Sequence, residues 1–175
     1  MTVATTLLTR LDAGDRALFR RWAIDGSSAG AARPVLTLVT HLGGAASSLA
    51  LALLPVAGTR NLRPAGWRPF AALAISHLIV QCIKRTTGRP RPSRALAWDS
   101  TIIEPDQFSF PSGHAAAAMS IAVVYGALFP ALAAPMVVIA AVIGLTRVFL
   151  GVHFPGDVLA GQFIGAATAL VVHKG

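Results

Sequence analysis

Three short segments of the chain gather residue types that can handle a phosphate group. The first holds Lys84, Arg91 and Pro92 as K-x6-R-P. The second is Pro111-Ser112-Gly113-His114. The third holds Arg147, His153 and Asp157 as R-x5-H-x3-D. A guanidinium binds two phosphate oxygens at once, whereas a lysine acts as a compact point charge. Arg147 is the most telling cation, because it ends a long run without charge. An ionisable group at membrane depth is a functional candidate by default. Taken singly, Lys84 and Arg91 fit equally well as basic residues that flank a span and snorkel to its interface. Arg85, Arg89 and Arg94 are read as such flanking charges, which also attract an anionic head group.

Pro111 to His114 reads as a helix start. Proline suits the first turn, and a serine there can hydrogen-bond freely. Gly113 lets a ligand approach the backbone, and the free N–H groups with the helix dipole make an anion site. A plain helix cap is the competing reading of P-S-G alone. His153 and Asp157, four residues apart, share one face of a helix. Pro155 fits between them if it falls in the first turn. A carboxylate that accepts the Nδ1 proton fixes the imidazole tautomer and leaves Nε2 as a nucleophile. The competing reading is an interfacial histidine beside a helix-capping aspartate.

The elements that must position these residues are apolar helices. Residues 35–57 carry no acidic or basic side chain except His41, and their length fits a transmembrane helix. Residues 69–83 are apolar and end at Lys84. Arg60, Asn61, Arg63, Pro64 and Gly66 form a basic turn between the two. Residues 85–110 form the longest extramembrane segment. No charge occurs from Ala115 to Thr146, and Pro130 and Pro135 divide that run into spans of about 112–129 and 134–150. The last span covers about 155–172, where Gly161 and Gly165 permit close helix contact. Residues 1–30 hold an amphipathic helix, with Leu7, Leu11, Leu18 and Trp22 opposed to Arg10, Asp12, Asp15, Arg16, Arg20 and Arg21. It lies at the interface or packs on the bundle. The expected fold is one all-α domain over 1–175, a polytopic membrane bundle of about five transmembrane helices plus this N-terminal helix. With five spans, all three motif blocks fall at the same membrane face.

Composition agrees. Of 175 residues, 54% are hydrophobic and 13% charged, against about 25% charged in soluble domains. The net charge of +8 could suit nucleic acid. The basic residues sit at span edges and beside the motifs, which suits lipid head groups and a phosphate instead. Cys82 alone excludes an internal disulfide framework. The N-terminus lacks the uninterrupted apolar run of a cleavable signal. His41, Ser47, His77 and Gln81 lie in apolar runs and are assigned to helix–helix hydrogen bonding.

The three blocks together, in this order, resemble the tripartite signature of the type 2 phosphatidic acid phosphatase family. The resemblance covers about residues 40–170. Thr146 stands where the family usually has serine, and the first spanning helix of longer relatives is replaced here by the amphipathic segment. The resemblance implies that His153 attacks phosphorus to form a phosphohistidine, that Asp157 orients it, and that His114 protonates the leaving alcohol and then activates water. Lys84, Arg91, Ser112, Gly113 and Arg147 match the phosphate-binding positions. No metal or other cofactor is implied, since three cations take a metal's place. Asp99, Glu104 and Asp106 could suggest magnesium, but they read as loop-solvating residues, with Glu104 a secondary contact to the site.

The implied activity is an integral-membrane lipid phosphate phosphatase. Undecaprenyl diphosphate is the first choice of substrate, because the short chain and the Phe108-Ser109-Phe110 run look like small bacterial members. Phosphatidylglycerol phosphate, phosphatidate and a polyprenyl-phosphoryl sugar phosphate are the alternatives. Soluble acid phosphatases and vanadium-dependent haloperoxidases share the motifs, and the long uncharged spans weigh against them. A non-catalytic lipid-binding or transport protein on the same scaffold would be favoured by a missing histidine, yet His114 and His153 are both present. The expected location is a bacterial plasma membrane. Arg60, Arg63, Arg68 and Lys174 lie on the face opposite the site, so the positive-inside rule turns the site outward. Oligomeric state is not legible.

Overall fold

The structure, a computed structural model, describes residues 3–26, 30–58, 62–104 and 106–174, with side chains from residue 12 onward. Arg60 and Asn61 of the basic turn, and the side chains of Leu7, Arg10 and Leu11, lie outside the described residues. Those described form eight α-helices: α1 Val3–Trp22, α2 Ala32–His41, α3 Ala45–Ala57, α4 Arg68–Thr87, α5 Pro92–Leu96, α6 Gly113–Leu128, α7 Pro130–Phe149 and α8 Pro155–Lys174.

Helix α6 is the central element and packs on α8, α7 and α4. Its sequence explains that position. Ala115, Ala116, Ala118 and Ala122 are all buried, and such small side chains let neighbouring backbones close in. Gly161 and Gly165 of α8 complete the contact. A Cβ on Gly161 would collide with the Ser112 carbonyl, and one on Gly165 with the Ala116 carbonyl. The predicted G-x-x-x-G contact therefore sits between α8 and α6. Outward from this core, Leu38, Leu78, Leu159, Phe163 and Val171 are each more than three-fifths exposed, as side chains facing lipid would be.

Residues Ala32–Ala57, Pro130–Phe149 and Pro155–Lys174 are long and apolar enough to cross a membrane. The shorter apolar α6 and the 20-residue α4, charged at its ends, pack beside them in the bundle. Two details differ from expectation. The first span is broken at Leu42–Gly44 into α2 and α3. There Gly43 lies against Ile143 and the His114 carbonyl, too close for a side chain. Between α6 and α7 the hairpin is a single residue, Phe129, because Pro130 opens α7 while Pro135 is accommodated inside it.

Helix α1 docks through Phe19, which is fully buried and edge-on to Trp98 and Phe154 at 5.2 Å. Leu18 and Trp22 stay exposed. The amphipathic helix is thus anchored on the bundle while part of its apolar surface faces outward.

Candidate active site

The C-terminal ends of α4 and α7 and the N-terminal ends of α6 and α8 meet at one end of the bundle. This brings every residue of the three motif blocks into one neighbourhood. Lys84 falls in the last turn of α4, and Gly88, with φ of +58°, ends that helix in the left-handed conformation. Lys84 is almost fully buried. Its Nζ donates to both Asp106 carboxylate oxygens, at 3.0 and 2.8 Å, and to the Phe108 carbonyl at 2.8 Å. Arg91 precedes α5 and is fully buried. Its Nε donates to the Asp106 carbonyl at 2.6 Å, Nη2 to the Asp106 carboxylate at 2.9 Å, and Nη1 to the Val152 carbonyl at 2.8 Å. Nη1 also lies 3.2 Å from Nε2 of His153.

That last contact fixes a protonation pattern. A guanidinium only donates, so Nε2 of His153 must present its lone pair and the ring proton sits on Nδ1. Nδ1 faces Asp157 Oδ2 at 3.6 Å. This is longer than a hydrogen bond, and Nδ1 has no hydrogen-bond partner among the described residues. The dyad is therefore aligned but open by several tenths of an ångström. Burial is the main cause that pushes the His153 pKa down to about 4, and Arg91 adds to it, while Asp157 opposes. The imidazole is neutral at pH 7.

Asp157 is fully buried. Its Oδ2 accepts hydrogen bonds from the Ser109 hydroxyl and from the Phe154 N–H, the latter at 2.8 Å. Its Oδ1 accepts from Arg89 Nη1 at 2.6 Å. Arg147 is buried in α7 and donates through Nη1 to Thr40 Oγ1 at 2.9 Å, but its Nε is unpaired among the described residues. The Ser112 hydroxyl, buried at the cap of α6, is likewise unpaired. Buried polar groups without partners are costly and rare, and here two of them belong to the predicted phosphate ligands. Around Gly113 packing leaves room: a Cβ there would meet nothing nearer than Val80 at 4.0 Å. Close packing therefore does not account for the glycine.

Lys84, Arg91, Gly113, His114 and His153 line one cavity of about 540 Å³, whose far wall is Leu49, Phe70 and Leu73. One end is cationic and the other apolar, the division an amphiphile with an anionic head requires. His77 and Gln81, assigned by sequence to helix contacts, also line it, one turn apart on α4.

The sequence missed several contributors. Arg89 is no flanking charge, because it holds Asp157, Asp12 and Asp15. Asp106 is no loop-solvating residue. It bridges Lys84 and Arg91, whose hydrogen bonds outweigh burial and hold its carboxyl below the usual range. Glu104 instead accepts from Ser93 at 2.7 Å. The spacing of Asp12, Asp15 and Phe19 along one helix face was the available signal for α1. Nothing local marks Thr40, whose partner lies 107 residues away.

Fold and site together define a polytopic α-helical membrane protein with a buried cationic site opening on an apolar cavity. The chain belongs to the PAP2 superfamily, whose family profile matches residues 65–175. It is 36% identical over 103 residues to decaprenylphosphoryl-5-phosphoribose phosphatase of Mycobacterium tuberculosis, covering 58% of this chain and 56% of that protein. It is 33% identical over 148 residues to phosphatidylglycerophosphatase B of Bacillus subtilis, covering 75% and 68%. The crystal structure of a transmembrane PAP2-type phosphatidylglycerolphosphate phosphatase from Bacillus subtilis superimposes with a TM-score of 0.76 at 26% identity, covering 94% of this chain and 85% of that one. Aquifex aeolicus LpxE gives 0.74 at 26% identity, covering 91% and 94%. This chain spans about half the length of the first curated relatives it matches.

Proposed function

We propose that the chain is a single-domain membrane phosphatase that removes phosphate from a lipid (di)phosphate by way of a phosphohistidine. The observation that carries this reading is the position of His153 Nε2, 3.2 Å from Arg91 Nη1, at the cationic end of a cavity with an apolar wall. Lys84, Arg91, Arg147, Ser112 and the N–H groups at Gly113 bind the phosphate oxygens. His153 Nε2 attacks phosphorus, the bond from phosphorus to the leaving oxygen breaks, and His114 gives that oxygen a proton. The arriving phosphate charge offsets the surrounding cations and favours a protonated His114. Water then attacks the phosphohistidine, His114 takes its proton, and phosphate leaves. Asp157 stabilises the charge that develops on the imidazole. Stabilising charge on the transferring group is the main task in such transfers. Three protein cations perform it, so the reaction needs no metal.

Undecaprenyl diphosphate remains the first candidate substrate. The names of the relatives favour a second reading, a polyprenyl-phosphoryl sugar phosphate or phosphatidylglycerol phosphate. Phosphate release by purified protein with chelator present, across these three lipids and phosphatidate, decides among them. Release from at least one lipid is expected, and the fastest names the substrate class. Silence on all four from folded protein, or a need for added metal, contradicts the reading.

The site faces outward from a bacterial plasma membrane. Arg63 and Arg68, at the opposite end of the bundle, support this by the positive-inside rule. Ile103 in the site-face loop is 95% exposed. In a Cys82→Ala background, Ile103→Cys should react with an impermeant thiol reagent on intact cells. Reaction only after permeabilisation contradicts that orientation.

A further inference from the structure

Helix α1 lies outside the residues matched to the family, yet it reaches the carboxylate behind His153. Arg89 Nη1 donates to Asp157 at 2.6 Å, while its Nη2 donates to Asp12 and Asp15, both at 2.8 Å. The other Asp15 oxygen accepts the Gly156 N–H at 2.7 Å, one residue before Asp157. A Cβ on Gly156 would lie 2.9 Å from Asp15 Oδ2 and would displace that carboxylate. Arg89 also stacks over the Phe154 ring at 4.4 Å, and Phe154 meets Phe19 of α1 edge-on at 5.2 Å. Helix α1 thus grips both Arg89 and the first turn of α8.

The charges explain why one guanidinium should hold three carboxylates. Arg89 alone would orient Asp157 but would also neutralise its field at the imidazole. Asp12 and Asp15 return negative charge to the cluster, and Arg16 pairs with Asp12 at 2.7 Å. Three carboxylates against two guanidiniums leave one negative charge behind His153. On its other sides the imidazole meets Arg91 before α5, with Asp106 and Lys84 paired beyond it, Arg147 on α7 and His114 on α6. Asp106 is already taken up by Lys84 and Arg91, so among the described residues the carboxylates behind Nδ1 are the ones placed to stabilise an imidazole that becomes cationic.

We propose that α1 is a positioning arm for the nucleophile: Asp15, with Asp12, holds Arg89, and Arg89 holds Asp157 oriented and still charged against Nδ1 of His153. This rests on the reading of His153 as nucleophile. Asp15 and Arg89 are positioning residues, since neither lines the substrate cavity.

Asp15→Asn tests the arm, because the amide oxygen can still accept the Gly156 N–H while the charge is gone. It should lower kcat about tenfold with KM and melting temperature unchanged, the size expected when the alignment of a reacting group is disturbed. Arg20→Gln, on the exposed side of the same helix, should leave kcat unchanged. Wild-type kcat in Asp15→Asn overturns the proposal. So does a loss that merely tracks the folded fraction, or an equal loss in Arg20→Gln. A second readout needs no substrate: 15N NMR of histidine-labelled protein, with the His153 signal assigned by its absence in His153→Gln. Wild type should show the Nδ1–H tautomer alone, and Asp15→Asn a mixture. An unchanged His153 signal in the variant overturns the arm even if no lipid is hydrolysed, whereas wild-type inactivity on all lipids counts against the proposed function alone.

Discussion

His153 is buried beside two arginines with one carboxylate behind it, and its chemistry follows from that balance. Removal from water disfavours the imidazolium, so Nε2 keeps its lone pair well below neutral pH. With a folded pKa of about 4 against an ordinary 6.5, an unfolded chain takes up a proton that the folded chain refuses. Acid therefore favours unfolding between those two values, and the penalty is absent above pH 6.5. The melting temperature in detergent should fall between pH 6.5 and 4 more steeply in wild type than in His153→Gln. Parallel curves would contradict a neutral buried imidazole. Asp106 makes a second residue-scale prediction. Its carboxylate occupies Lys84 and Arg91, two of the cations assigned to phosphate. Asp106→Asn should lower the melting temperature of ligand-free protein, because two buried cations lose their counter-charge. Orthovanadate should then raise the melting temperature more in the variant than in wild type. An equal rise in both would show that Asp106 does not compete with the anion.

At the scale of elements, glycine and alanine set the distance between α6 and α8, and that distance sets the site. Ser112 donates its N–H to the Asp157 carbonyl at 2.9 Å, tying the start of α6 to the first turn of α8. Gly165→Leu would force α8 away from Ala116 and Ser120. Overpacking of this kind costs about 1–3 kcal/mol, so a lower melting temperature with reduced phosphate release is expected. A wild-type melting curve would contradict the close packing described. This contact was legible in the sequence because G-x-x-x-G has one dominant physical use in an apolar helix. The meeting of Lys84, Ser112, His114, Arg147, His153 and Asp157 was legible too, because spans that run back and forth return alternate ends to one face. The break at Leu42–Gly44 was not, since the neighbours that crowd Gly43, Ile143 and the His114 carbonyl, are remote in the sequence. Nor was the role of Arg89, because a basic residue after a span looks the same whether it meets water or three carboxylates.

The whole molecule joins two solvents. Its outward leucines, valines and phenylalanines suit lipid, while one end concentrates nearly all of its buried charge. The cavity connects them, with cations at one end and Leu49, Phe70 and Leu73 at the other. Burying Lys84, Arg91 and Arg147 together is expensive unless an anion or carboxylate answers them. Asp106 answers two in part, and a bound phosphate would answer all three. Whether phosphorus passes through His153 decides the mechanism. The direct measurement is to mix purified protein with lipid labelled by 32P in the phosphoryl group to be transferred, quench in alkali within the first turnovers, and map the label. Label is expected on His153 in wild type and none in His153→Ala. Steady phosphate release with no label on His153, or release that survives His153→Ala, would contradict the phosphohistidine mechanism.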